Sequence, residues 1–120
     1  MTRIAITKPK INVIVKEPSK AAELREIGTS LEDYQEIVCG SIESIPFPDM
    51  DDVDIILNDM GKLNGMKGNI IVPEYGDILM GPIIIIGVDE KECTWKSLPE
   101  KKIPEILKYI NSNDIKQYNK

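Results

Sequence analysis

Histidine is absent from this chain of 120 residues. Its absence removes the usual general base, the commonest metal ligand and the side chain that titrates near neutral pH, so Ser-His and Cys-His nucleophilic catalysis cannot operate within the chain. Cysteine is nearly absent too. Cys39 and Cys93 stand far apart with no C-x-x-C spacing, which argues against a disulfide framework and a zinc site and leaves two incidental thiols. Long apolar runs are missing. The longest, Ile83-Ile84-Ile85-Ile86 with Gly87 and Val88 behind it, falls far short of the roughly 20 residues that cross a bilayer. The first eight residues carry basic groups but no sustained apolar stretch or small-residue cleavage site, so secretion is not expected and the cytoplasm is the default compartment. Aromatic residues make up only 5% of the chain. Phe47, Tyr75, Trp95 and Tyr109 are scattered rather than interleaved with basic residues, which gives little support to a stacking platform for nucleic acid.

One further absence is local. Between residues 26 and 61 there is no lysine or arginine, while ten acidic side chains fall there; fifteen basic and ten acidic residues occupy the rest. Charge is therefore segregated along the chain, and an electrostatic partner is a better first expectation than a reaction. The carboxylates of that window, Glu32, Asp33, Glu36, Asp49, Asp51, Asp52 and Asp54, make the candidate protein-binding surface, and the partner expected for it is a protein with a basic surface. Direct nucleic-acid binding is not expected. A row of carboxylates can also mimic phosphates, but a net charge of −5 is modest for a mimic and suits a solvated surface equally well. The cluster at residues 49–54 lacks the glycine and the terminal glutamate of a calcium loop. No cofactor or metal is expected.

What is present fits one small domain, since a chain of this length builds one core and not two. Residues 1–9 read as an arm, 10–111 as a single domain and 112–120 as a polar tail. Ile11-Asn12-Val13-Ile14-Val15, the turn Glu17-Pro18-Ser19-Lys20 and the alternating stretch at residues 22–27 predict a hairpin. Gly28 ends it. Thr29 and Glu32 match a capping box for a helix whose apolar face is Leu31, Tyr34, Ile37 and Val38 and whose stop is Gly40. A strand-like segment at 41–45 runs into Pro46-Phe47-Pro48, which confines it to an edge or a loop. An acidic turn and a strand at 53–58 follow. After a short apolar run at 70–72 and a turn at 74–77, the isoleucine run at 83–88 predicts a strand buried on both faces at the centre of the sheet. Ser97 and Glu100 match a second capping box before a stripe of Ile103, Ile106, Leu107 and Ile110. Pro104 conflicts with that start, so either the helix is kinked or residues 98–102 form a separate turn. The expected class is α+β, with a predominantly antiparallel sheet packed against two helices.

Residues 58–69 are dense in turn formers, with Asn64-Gly65 a favoured hairpin dipeptide. Backbone amides around Gly61 and Gly65, with Asn58, Lys62, Asn64 and Lys67, supply the second reading of function: a concave nest that captures a small anionic ligand such as a signalling nucleotide. The spacing matches neither a Walker loop nor G-x-G-x-x-G. Glu43, Asp54, Glu74 and Asp77 are the carboxylates open to acid–base or magnesium chemistry, and nothing in their spacing singles out a pair.

In order along the chain stand a Val-Ile-Val strand ending in Glu17-Pro18-Ser19-Lys20, the Leu31 helix closing at Gly40, Ile45-Pro46-Phe47-Pro48-Asp49, Asn58-Asp59-Met60-Gly61-Lys62-Leu63-Asn64-Gly65, and Gly81-Pro82 before an isoleucine-rich strand. With these landmarks the chain resembles a family of small uncharacterised domains widespread in phages, plasmids and related mobile elements, over about residues 11–110. Where relatives often show two glycines, this chain has Cys39-Gly40. The resemblance implies no enzymatic activity. It implies a mobile-element accessory protein acting on a host protein by stoichiometric binding, as anti-defence or antirestriction factors do.

Overall fold

The computed structural model describes residues 9–118, so the expected arm at 1–9 lies outside the described residues except for Pro9. The first hairpin forms as its alternation predicts: β1 (Lys10–Lys16) pairs antiparallel with β2 (Glu23–Gly28), from Lys10 opposite Gly28 to Val15 opposite Glu23. Next comes α1 (Leu31–Val38), followed by β3 (Ile42–Pro46) and β4 (Val53–Asn58), which form a second hairpin. The capping box of α1 sits one residue later than Thr29 and Glu32. Ser30 Oγ accepts from the Asp33 amide at 3.1 Å, and the Ser30 amide donates to Asp33 Oδ2 at 3.0 Å, because the shorter Asp side chain also closes this reciprocal pair.

Two further hairpin strands, β5 (Gly68–Val72) and β6 (Asp77–Met80), form a small sheet of their own around a 3-10 turn at Pro73–Tyr75. Then β7 (Ile83–Asp89) turns into the short β8 (Thr94–Lys96), with which it pairs. The main sheet is antiparallel in the order β2-β1-β7-β4-β3, with β8 continuing along the β7 edge beyond β1. The isoleucine run is therefore central, as its uninterrupted apolarity requires, and Pro46 lies on the edge strand β3. Strands β6 and β8 had no counterpart in the sequence reading. They are short, and β8 is polar at both ends.

The pleat sorts the apolar side chains onto two faces. Val13, Val15, Ile56, Ile84 and Ile86 pack with Tyr34 and Val38 of α1. Ile14, Val53, Ile55, Ile83 and Ile85 face the other way, against Ile70, Val72 and Leu79 of the small sheet and Ile106 and Ile110 of α2 (Ile103–Asn113). The result is three layers, with α1 on one side of the main sheet and α2 with the β5–β6 hairpin on the other. Each fully buried isoleucine contributes roughly 1.5–3 kcal/mol of transfer free energy; Ile85→Asn at the sheet centre would replace that gain with an unpaired amide.

The second capping box does not form. Ser97 Oγ accepts from the Asn12 amide at 2.9 Å, tying the end of β8 to β1, and Glu100–Lys102 make a separate 3-10 turn. That turn resolves the Pro104 conflict, because α2 starts at Ile103 and proline falls in its first turn, where no intrahelical N–H bond is lost. Of the stretch expected as a polar tail, residues 112–118 extend the domain. Ser112 and Asn113 complete α2, Asp114 bridges to Ile70, and Ile115–Tyr118 form a 3-10 turn. Asp114 stays because it neutralises Lys16, a fully buried cation.

Candidate functional site

A groove of about 970 Å³ opens at the end of the sheet where α1 begins. It is lined by Leu31 and Tyr34 of α1, Asp54 of β4, and Val88, Cys93 and Trp95 of β7, β8 and their connection. Trp95 organises the site. Its ring meets Tyr34 edge to face, with centroids 5.2 Å apart and planes at 88°, the geometry that the ring quadrupoles favour. Its Nε1–H donates to Asp54 Oδ2 at 3.0 Å, so a carboxylate from the acidic window is held in a fixed orientation at an apolar groove. Burial, and secondarily the Asp33 charge, raises the pKa of Tyr34, which keeps its phenol neutral beside these carboxylates.

The predicted acidic residues divide by environment. Glu32, Glu36, Asp49 and Asp51 are exposed, and among the described residues none has a lysine or arginine partner. Asp33 is engaged in the α1 cap. Asp52 forms an ion pair with Lys102, and that hydrogen bond, opposed in part by burial, holds its carboxyl below the ordinary carboxylate range. The Asp52 carbonyl also accepts from the Val88 amide at 2.8 Å.

The turn-rich segment takes a different form from the expected hairpin turn. Gly65, at φ +67°, ends a helical turn in a Schellman arrangement: its amide donates to Lys62 O at 3.2 Å and the Met66 amide donates to Gly61 O at 3.0 Å. Asn64 donates to Met60 O at 2.8 Å and Gly61 to Asn58 O at 3.3 Å, while Met60 donates to the side chain of Asn58 at 2.8 Å. Five amides on which an anion nest would draw are thus directed at acceptors of the chain itself. Lys62 is bonded to Asp77, and Lys67 is exposed.

The carboxylates weighed for catalysis are not assembled as a group. Asp54 faces Trp95, and Glu74 accepts from Tyr109 Oη at 2.6 Å. Burial and that bond push the Tyr109 pKa up. Glu43 and Asp77 line one small crevice beside residues 58–63. Among the described residues no group of three or more His, Cys, Asp or Glu side chains is placed to hold a metal ion, and no helix is long and apolar enough to cross a membrane.

Sequence reasoning missed Trp95 as the centre of the groove. The one usable signal was that it is the only tryptophan, within a polar stretch; its partners Tyr34 and Asp54 arrive from distant parts of the chain. No curated protein and no solved structure matches the chain. The family resemblance drawn from the ordered landmarks holds as far as the domain itself: a family model matches residues 11–111, and the chain belongs to the family described as domain of unknown function (DUF3846).

Proposed function

We propose that this chain is a non-enzymatic binding protein that engages a basic host protein through its exposed acidic residues, as an accessory factor of a phage or plasmid. The observation that carries the reading is that Glu32, Glu36, Asp49 and Asp51 project into solvent with no cationic partner among the described residues. Exposed carboxylates of one sign raise the local potential and steer a cationic surface onto the site, and each pair formed releases some of their mutual repulsion. The groove supports the same reading. Asp54 is held by Trp95 beside apolar walls, so a partner's basic side chain would find a pre-oriented carboxylate and an aromatic neighbour together.

The test is affinity capture from host lysate at low and high salt, with the wild type and with a Glu32→Lys, Glu36→Lys, Asp51→Lys variant. These three positions are exposed, and circular dichroism checks that the variant folds. A basic protein that is retained at low salt, is released at high salt, and binds the variant roughly tenfold or more weakly supports the proposal. Equal retention by the variant sinks it.

A further inference from the structure

The opposite end of the sheet, where Ile42 pairs with Asn58, carries three exposed apolar side chains on or beside one turn. Leu63 is 81% exposed at the crest of the helical turn, with Met60 at 44% and Ile78 at 38% exposure nearby in the chain and on β6. A single exposed apolar side chain is ordinary on a protein surface; this one stands on a turn that is held at both ends. Asn58 at its base is buried and donates to Val38 O at 3.0 Å. Gly61 sits so close to β6 that a Cβ there would stand 3.0 Å from Met80 O, and Gly65 closes the far side through the Schellman bonds. Leu63 takes no part in this bracing. A side chain presented on a pre-ordered turn has already met the entropic cost that a binding anchor normally incurs on association.

We infer that residues 58–65 form a docking knob that inserts Leu63 into an apolar socket, bordered by lysine or arginine, on a partner protein. Charge selects this occupant. Beside Leu63 and Ile78 the crevice is lined by Glu43, Asp59 and Asp77, and its one lysine, Lys62, is already bound to Asp77. A second copy of the chain docked symmetrically would bring Glu43 and Asp59 against their own equivalents, which like-charge repulsion opposes. This surface lies at the opposite end of the sheet from the groove at Trp95 and Asp54.

The test uses the full chain as bait against a displayed library of random peptides, with Leu63→Ser and Asp59→Asn as comparison variants. Both positions are exposed, and circular dichroism checks that the variants fold. The expected binders combine aliphatic or aromatic residues with lysine or arginine. They lose roughly 30-fold in affinity to Leu63→Ser, the burial free energy of one leucine converted to a binding constant. They lose a few-fold, with a shallower salt dependence, to Asp59→Asn, and they bind an Asp51→Lys variant, altered in the β3–β4 turn at the other end of the sheet, unchanged. Binders indifferent to Leu63→Ser, or an empty selection, overturn the inference. So does concentration-dependent self-association in sedimentation that Leu63→Ser abolishes, because a second copy would then be the occupant.

Discussion

Lys16 Nζ lies 3.1 Å from Asp114 Oδ2, joining the end of the first strand to the residue after the last α-helix in a position where the lysine is fully buried. The ammonium is also bonded to Glu17 O at 2.9 Å and Asn69 Oδ1 at 3.0 Å. The Asn69 amide group in turn donates to Lys16 O at 2.7 Å and Gly81 O at 2.8 Å. All the donors of this network have acceptors, which is the condition under which a buried charge is tolerable.

Removing one member should therefore cost more than replacing the pair. Asp114→Ala strands the buried ammonium and is expected to lower stability by about 3–5 kcal/mol, whereas Lys16→Met with Asp114→Leu should recover much of that loss by apolar packing. Denaturant unfolding of the two variants and the wild type measures both values. Equal destabilisation in the single and double variants would show that the ion pair is not what holds the C-terminal segment.

Cys39 occupies the left-handed conformation that ends α1, at φ +66°, a geometry that costs a residue with a Cβ roughly 1 kcal/mol and glycine almost nothing. Cys39→Gly is accordingly expected to stabilise the protein by up to about 0.5 kcal/mol after the larger chain entropy of glycine is subtracted. The adjacent Gly40→Ala should act in the opposite sense. Its φ is +155° and the added Cβ would lie 2.8 Å from Asn58 Nδ2, disturbing the bond from Asn58 to Val38. Thermal melts that moved both variants in the same direction would contradict this account of the helix end.

The Asp52 carboxyl is held below its ordinary value first by its hydrogen bond to Lys102. A group with a depressed folded-state pKa binds its proton more tightly in the unfolded chain. Its contribution to stability is thus complete above the unfolded value and disappears as pH falls through the folded one. Carbon-detected NMR titration should place Asp52 below the usual aspartate range in the wild type and move it upward in Lys102→Met, with a shallower loss of stability on the acid side. An unchanged Asp52 titration in that variant would show that Lys102 is not the cause.

Much of the architecture was legible in local pattern. The β1–β2 hairpin, the apolar face of α1 and the central place of the isoleucine run follow from periods of 2 and 3.6 and from turn residues, which neighbouring side chains dictate. Local pattern failed where two local solutions compete. Thr29 with Glu32 and Ser30 with Asp33 are both capping boxes in sequence, and packing of Tyr34 and Val38 against the sheet accompanies the second. Asn64-Gly65 likewise fits a hairpin turn or a helix end, and the anchoring of Asn58 beneath α1 accompanies the latter.

The candidate site was legible only as composition. That residues 26–61 are acidic without a balancing cation is a property of covalent order, and no folding event alters it. Which of those carboxylates remain available is a tertiary matter, because neutralisation requires contact. Lys102 reaches Asp52 and Trp95 reaches Asp54 across long stretches of chain, while Glu32, Glu36, Asp49 and Asp51 stay exposed. The sequence by itself determined the first hairpin, the apolar face of α1, the central strand and the sign of the charge, since these depend on side-chain type and spacing. The tertiary structure decided the groove at Trp95, the Lys16–Asp114 closure and the exposure of Leu63, since each depends on which distant segments the sheet brings within a few ångströms of each other.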